Sequence, residues 1–426
     1  MIFSKIVNKR IGEQVHFAEH QSGLKVYYMP KKFNKSYACF ATKYGSVDSV
    51  FASKQGETPS AVPDGIAHFL EHKLFEKPDG GNAFDDYAKT GGNANAYTSF
   101  NLTSYLFSST SNFFENFDIL LDTVLNPHFT DENIAKEQGI IGQEIKMYED
   151  NPDWRVFFNL LESLYVNYPV RKDIAGTVES ISHIDKDLLM RCYNTFYHPS
   201  NMILYVSGDL PLEKISEVID EKIPTHLESP EIKRIYPDEP SNVNKALITQ
   251  SLSVASSIFL AGYKDDDVGY DGYNLLKKEL EMTILLEILL GKSSEIYNYL
   301  YEKGLINETF SKEYTAEKGY AYSAFGGESK DPMAVREEIV RRLKTFRIRR
   351  QDFERAKNVA EGEILRLFNG IERTGNNFIS HAFNDINILD YMNVCENVGM
   401  SDIMARFERH FNPQSMAISI IMPHQK

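Results

Sequence analysis

The short, largely apolar runs LKVYYMP (24–30) and SYACFATKYG (36–45) predict strands. The pattern changes at PDGIAHFLEHKLFE (63–76). There apolar positions recur every three or four residues behind Pro63 and Asp64, which predicts a helix. NAFDDYAKTGG (82–92) reads as a short helix ended by glycines. NANAYTSF and TSYLFSST alternate, as two hairpin strands. Helical periodicity then covers 112–125, 131–149 and 152–166, and NMILYVSGD is a strand. The second half predicts a strand over 246–262, helices over 273–290 and 293–303, and strands within 309–328. Helices over 332–346 and 350–372 and a strand over 415–421 complete it.

Two stretches echo each other. FYHPSNMILYV (196–206) and FNPQSMAISII (411–421) each follow a helical pattern, turn at a proline, and run into Met and an apolar strand. They lie about half the chain apart, which points to a duplicated unit. Between them, PEIKRIYPDEPSNVNKA (230–246) has three prolines, many charges and no period, and reads as a linker. The expected organisation is a first half over 1–230, a linker over 231–245, and a second, homologous half over 246–426. Strands and helices without strict alternation predict an α+β class, each half a mainly antiparallel β-sheet with helices packed on one face.

Length agrees with this, because 426 residues exceed what one core organises. The balance of 46 Lys+Arg against 60 Asp+Glu gives a net charge of −14, which argues against nucleic acid as a partner. No apolar run approaches the roughly 20 residues needed to span a bilayer, so no membrane partner is expected. MIFSKIVNKRIGEQ has no apolar signal core, and Cys39, Cys192 and Cys395 are widely spaced. Both features predict a cytoplasmic protein with reduced thiols.

The predicted helix at 63–76 carries the chemistry. His68, Glu71 and His72 stand at i, i+3 and i+4 and share one helical face. Two imidazoles can ligate one ion while the carboxylate takes a proton from its bound water, the H-x-x-E-H order of inverted zinc peptidases. The bland alternative is the mixed face of an amphipathic helix. A catalytic zinc needs a third protein ligand. In EQGIIGQEIKMYEDNPDW, Glu137, Ile141, Glu144 and Tyr148 fall on one helical face. Glutamates flanked by Ile140, Ile141 and Ile145 are costly to bury without a counter-charge. Glu144 is the expected third ligand, and Glu137 a carboxylate of the catalytic site that orients a ligand or substrate. Glu76 and Glu149 are rival ligands by spacing.

HFLEH, GGNANAYTSFNLTSYLF and the Glu137–Glu144 pair resemble the pitrilysin/insulinase family of inverted-zincin metallopeptidases. VPDGIAHFLEHKLFEK, EQGIIGQEIKMYEDNPDW, DIAGTVESISHI and YHPSNM resemble its two-half, YmfH-like bacterial branch. The resemblance covers nearly the whole chain. It implies two homologous halves closing like a clamshell round a chamber, and one zinc ion per chain. His68, His72 and Glu144 would be its ligands and Glu71 the general base. Asn95, Ala96 and Tyr97 would hold a peptide substrate as an added strand. The implied activity is zinc-dependent endopeptidase cleavage of peptides or small unfolded segments. Alternatives are a non-catalytic subunit of the same fold and a dedicated peptide-maturation protease. One departure stands out. Active relatives carry an Arg and, seven residues later, a Tyr; here NYLYEKGLINETF places Tyr301 and Glu308 at those positions. The resemblance therefore implies a partner, a homologous chain without a zinc helix that supplies the missing pair in a heterodimer; a homodimer is the alternative.

Overall fold

The computed structural model describes residues 1–225 and 228–424. In chain order the first half forms β1 (Ser4–Asn8), β2 (Glu13–Glu19), β3 (Lys25–Pro30), β4 (Ser36–Thr42), β5 (Val50–Ala52), β6 (Ser60–Ala61), β7 (Asn93–Thr98), β8 (Thr103–Ser109) and β9 (Met202–Gly208), followed by β10 (Lys233–Arg234). The second half forms β11 (Leu247–Leu252), β12 (Ile258–Asp265), β13 (Ser311–Ala316), β14 (Ala321–Glu328) and β15 (Met416–Pro423). One sheet has the order β1-β2-β3-β9-β4-β8-β7, a small one β10-β5-β6, and another β11-β15-β12-β14-β13. Pairing is antiparallel except for β3 with β9 and β11 with β15. The fold is α+β with mainly antiparallel sheets.

The two large sheets share one connectivity. In β3-β9-β4-β8-β7 and in β11-β15-β12-β14-β13, the first strand pairs in parallel with the last. The second and fourth strands follow, and the third is the edge. The sequence echo falls on the last strand of each. A 3-10 turn precedes it, Pro199–Asn201 in one half and Pro413–Ser415 in the other. The residue before the proline caps each turn: His198 Nδ1 accepts from Ser200 N at 3.2 Å, and Asn412 Oδ1 from Gln414 N at 3.0 Å. Two different residue types thus serve one backbone need.

The chain divides into two compact units. The first comprises Met1–Ile145, Asp173–Tyr236 and Leu367–Phe383; the second comprises Lys146–Lys172, Pro237–Arg366 and the chain from Asn384. The passage at Tyr236–Pro237 lies within the expected linker. Two helices sit with the sheet of the other half. Among the helices α1 (Ile66–Lys73), α2 (Ala83–Thr90), α3 (Phe113–Leu125), α4 (Asp131–Glu149) and α5 (Pro152–Leu164), α5 packs on β12 and β15. Reciprocally, the helix Ile371–Ala382 packs on β4 and β9. A Cβ on its Gly375 would meet the Tyr37 ring at 2.5 Å, so glycine permits that approach. Tyr37 faces this helix, whereas Thr42, of opposite parity, donates to Phe196 O on the other face. In the second sheet Gly262 faces Leu160 of α5, and its neighbour Tyr263 packs on His410 and Phe411. Both central strand sets are therefore covered on both faces.

Two sequence expectations are corrected, and one stretch proves well anchored. The strand expected over 246–262 is two strands, β11 and β12, because the small polar run 253–257 turns the chain to admit β15 between them. The helix expected over 350–372 is Arg350–Leu367 and Ile371–Ala382, separated at Asn369 and Gly370. The stretch 230–246 is tied down: β10 pairs with β5, and the Glu239 carboxylate accepts the amides of Val166, Asn167 and Tyr168 at 2.7–2.8 Å.

The entry to α1 is fixed by a loop far along the chain. Gly65 has φ of 92°, and a Cβ there would lie 2.4 Å from Ala175 O. Gly176 has φ of 73°, and its Cβ would lie 2.4 Å from Asp64 O. Asp64 O also accepts from Ser180 Oγ at 2.7 Å. Two glycines thus let two backbones touch where any side chain would part them. Gly176→Ala is expected to lower the unfolding free energy of the first unit by about 2–3 kcal/mol, read as a reduced urea midpoint.

Glu239 predicts a pH effect in the second unit. Burial works against its ionisation, but the Lys264 ammonium at 2.8 Å and three amide donors outweigh it and hold its carboxyl below the usual range. A depressed folded pKa gives stability that is complete above the unfolded value of about 4.3 and lost as pH falls through the folded one. The second unit should therefore lose stability below about pH 4.3, and Glu239→Gln should flatten that loss while lowering stability at pH 7. Chemical denaturation at stepped pH checks both.

Candidate metal centre

α1 starts at Ile66 and ends at Lys73, and all of its residues except His72 are buried. On α4 the face Ile134, Glu137, Ile141, Ile145 is buried, at the helical spacing the sequence predicts. Ile140, expected beside the acids, is 46% exposed and lies off that face. Tyr148, expected in register with them, stacks on Trp154 at 4.2 Å.

His68, His72 and Glu144 converge. One donor atom from each lies within 4.8 Å of the others, the only such group of metal-ligating residues among the described residues. Glu144 Oε2 is 3.7 Å from His68 Nε2 and 3.5 Å from His72 Nε2. A tetrahedral ion with bonds of about 2.0–2.2 Å spaces its donors by about 3.3–3.6 Å, so these residues fit zinc. The donors also present the right atoms. Glu137 Oε1 lies 3.0 Å from His72 Nδ1, which places the ring proton there and turns the Nε2 lone pair toward Glu144. Burial, and then the neighbouring His72, push His68 down to about 3, so its imidazole is neutral and able to ligate.

Glu71 is buried on the same helix, and its carboxyl is raised to about 7, chiefly by burial. Thr98 Oγ1 donates to Glu71 Oε2 at 2.6 Å and acts in the opposite direction, as does His72. A carboxyl poised near neutrality suits a group that both takes and returns a proton.

Asn95, Ala96 and Tyr97 lie on β7, which among the described residues pairs only with β8 and ends the sheet. Asn95 is exposed, and its Oδ1 accepts from Ala96 N at 2.9 Å. Thr98, the last residue of the same strand, joins that edge to Glu71. The rival Glu76 is drawn away from the cluster by Lys73, 2.5 Å distant. Glu149, at the end of α4, is exposed and outside the group.

Sequence reasoning missed two residues. Lys73, the last residue of α1, is completely buried. Its signal was an ammonium three residues before Glu76. Thr98 was legible only as the last residue of the NANAYT strand, not as a donor to Glu71.

Residues 60–178 match the family model described as Insulinase (Peptidase family M16), and residues 183–360 match Peptidase M16 inactive domain. The chain is 44% identical to Uncharacterized zinc protease YmfH of Bacillus subtilis, over 97% of this chain and 98% of that one. It belongs to the M16 (insulinase) peptidase family. An M16-like peptidase structure from Alicyclobacillus acidocaldarius is similar to this M16 chain with a TM-score of 0.92 and 36% identity, covering 96% and 98% of the two chains. A protease structure from Helicobacter pylori shares the M16 fold at a TM-score of 0.79 and 18% identity, over 96% and 100%. No helix among the described residues is long and apolar enough to cross a membrane.

Glu76 and Glu149 lie outside the group formed by His68, His72 and Glu144. Protein prepared without chelator is expected to hold about one zinc per chain. His68→Ala and Glu144→Ala should lose it, while Glu76→Gln and Glu149→Gln keep it, as elemental analysis of the purified proteins will read.

Proposed function

We propose that this M16 chain is a zinc-dependent endopeptidase cleaving peptides or small unfolded segments. The observation that carries the reading is the convergence of His68, His72 and Glu144 beside a buried carboxyl, Glu71, raised to about 7. Held by those three side chains, zinc would acidify a water molecule and polarise the scissile carbonyl. Glu71 accepts the water proton on the carboxylate oxygen that Thr98 leaves unengaged, and returns it to the leaving amine. The open edge of β7 at Asn95, Ala96 and Tyr97 binds the substrate backbone as an extra strand, giving affinity with little sequence preference. Glu137 is a positioning residue that orients His72.

The reading includes a partner, a homologous chain without the zinc helix, and a cytoplasmic setting. Tyr301 and Glu308 support the partner: both are exposed, and neither supplies the cation expected in the family at the first of these positions. Loss of such a donor costs about 10²–10³ in rate.

Glu71→Gln is expected to retain zinc yet lose at least about 10²-fold in peptide cleavage, because the base is gone and the ligands are intact. Metal-free wild-type protein would overturn the reading. For the partner, the purified chain alone should cleave an unfolded peptide slowly, and a homologous chain carrying the Arg and Tyr should restore the rate. Full activity of the isolated chain would sink the heterodimer.

A further inference from the structure

Lys73 has no part in the proton transfer, yet it is the most buried charge near it. The side chain is fully enclosed. A buried ammonium persists only where its donors are met and its charge balanced. Nζ donates to Asn133 O at 3.2 Å on the first turns of α4. It contacts Glu76 Oε2 at 2.5 Å and Glu137 Oε2 at 3.9 Å. Glu137 uses its other oxygen, Oε1, on His72 Nδ1. One ammonium therefore ties the last residue of α1 to α4, the helix that carries Glu144.

We infer that Lys73 is a positioning residue of the metal centre: it holds Glu137 against His72 and fixes the spacing of α1 and α4 at which the three ligands meet. The inference rests on the zinc reading above and adds a residue to it. A lysine serving only as packing would be replaceable by methionine, which has nearly its shape and no charge. A lysine acting through Glu137 is not, because the carboxylate loses its counter-charge and the imidazole its fixed orientation.

The test is zinc affinity, measured by competition with a chelator of known affinity on the full chain. Lys73→Met is expected to weaken binding about 10–100-fold, the range for removing support behind a ligating histidine. Glu137→Gln should weaken it similarly. The double variant Lys73→Met/Glu137→Gln should bind no more than about 2-fold worse than Glu137→Gln alone, because both changes break one path. Additive losses, or wild-type affinity in Lys73→Met, overturn the inference. If Lys73→Met does not fold, Lys73→Met/Glu76→Gln removes the ion pair without stranding either charge between them. It should still bind zinc at least about 10-fold more weakly, and wild-type affinity there overturns the inference as well. The outcomes are distinct from failure of the zinc reading, which the metal content of the wild-type protein alone decides.

Discussion

Two imidazoles and three carboxylates meet where α1 faces α4, three of them, His68, Glu71 and Glu137, buried, and balancing those groups is the constraint that the first unit is built to satisfy. Each buried charge costs several kcal/mol unless a partner offsets it. The partners are specific and local. His72 takes Glu137, Lys73 stands between Glu137 and Glu76, and Thr98 takes Glu71. Their positions depend in turn on α1 entering at the right place. That entry is set by Gly65 and Gly176, where the backbone before the helix touches the loop at Ala175. A contact more than a hundred residues away in sequence thus governs where two metal donors stand.

The duplicated architecture sharpens the point. The second unit repeats the strand order and also buries charge on its long helix Gly272–Leu290, at Lys278 and Glu281. There the charges close on one another. Lys278 pairs with Asp265 at 3.1 Å, and Arg406 pairs with Glu281 at 2.7 Å and Asp267 at 2.6 Å. Among the described residues no metal-ligating group forms in that unit. One topology therefore carries two electrostatic solutions, one completed by protein cations and one whose donors converge on a point that suits an external cation.

Much of this was legible in the sequence because it is periodic. Short apolar runs located β3 and β4, alternation located β7 and β8, and the i, i+3, i+4 spacing put His68, Glu71 and His72 on one face. The echo at FYHPSNMILYV and FNPQSMAISII marked the last strand of each sheet, although His198 and Asn412 differ as caps. What escaped depends on contacts between distant segments. Alternation could not show that 246–262 crosses over an intervening strand. Nor could it show that α5 and Ile371–Ala382 each cover the other half's sheet, since an amphipathic stripe does not name what it covers. Lys73 escaped because a lysine beside two histidines reads as solvent-facing until Asn133, Glu76 and Glu137 are placed around it.

The division of labour within the site follows from where its residues lie. The candidate ligands His68, His72 and Glu144, the proposed base and their supports all belong to the first unit, on α1, α4 and β7. Their convergence is therefore a property of that unit's own packing. Stabilising the negative charge that develops on a cleaved carbonyl requires donors aimed at the oxygen, whereas Tyr301 and Glu308 belong to the second unit. The three converging side chains and the carboxyl beside them are thus assembled without any residue of the second unit.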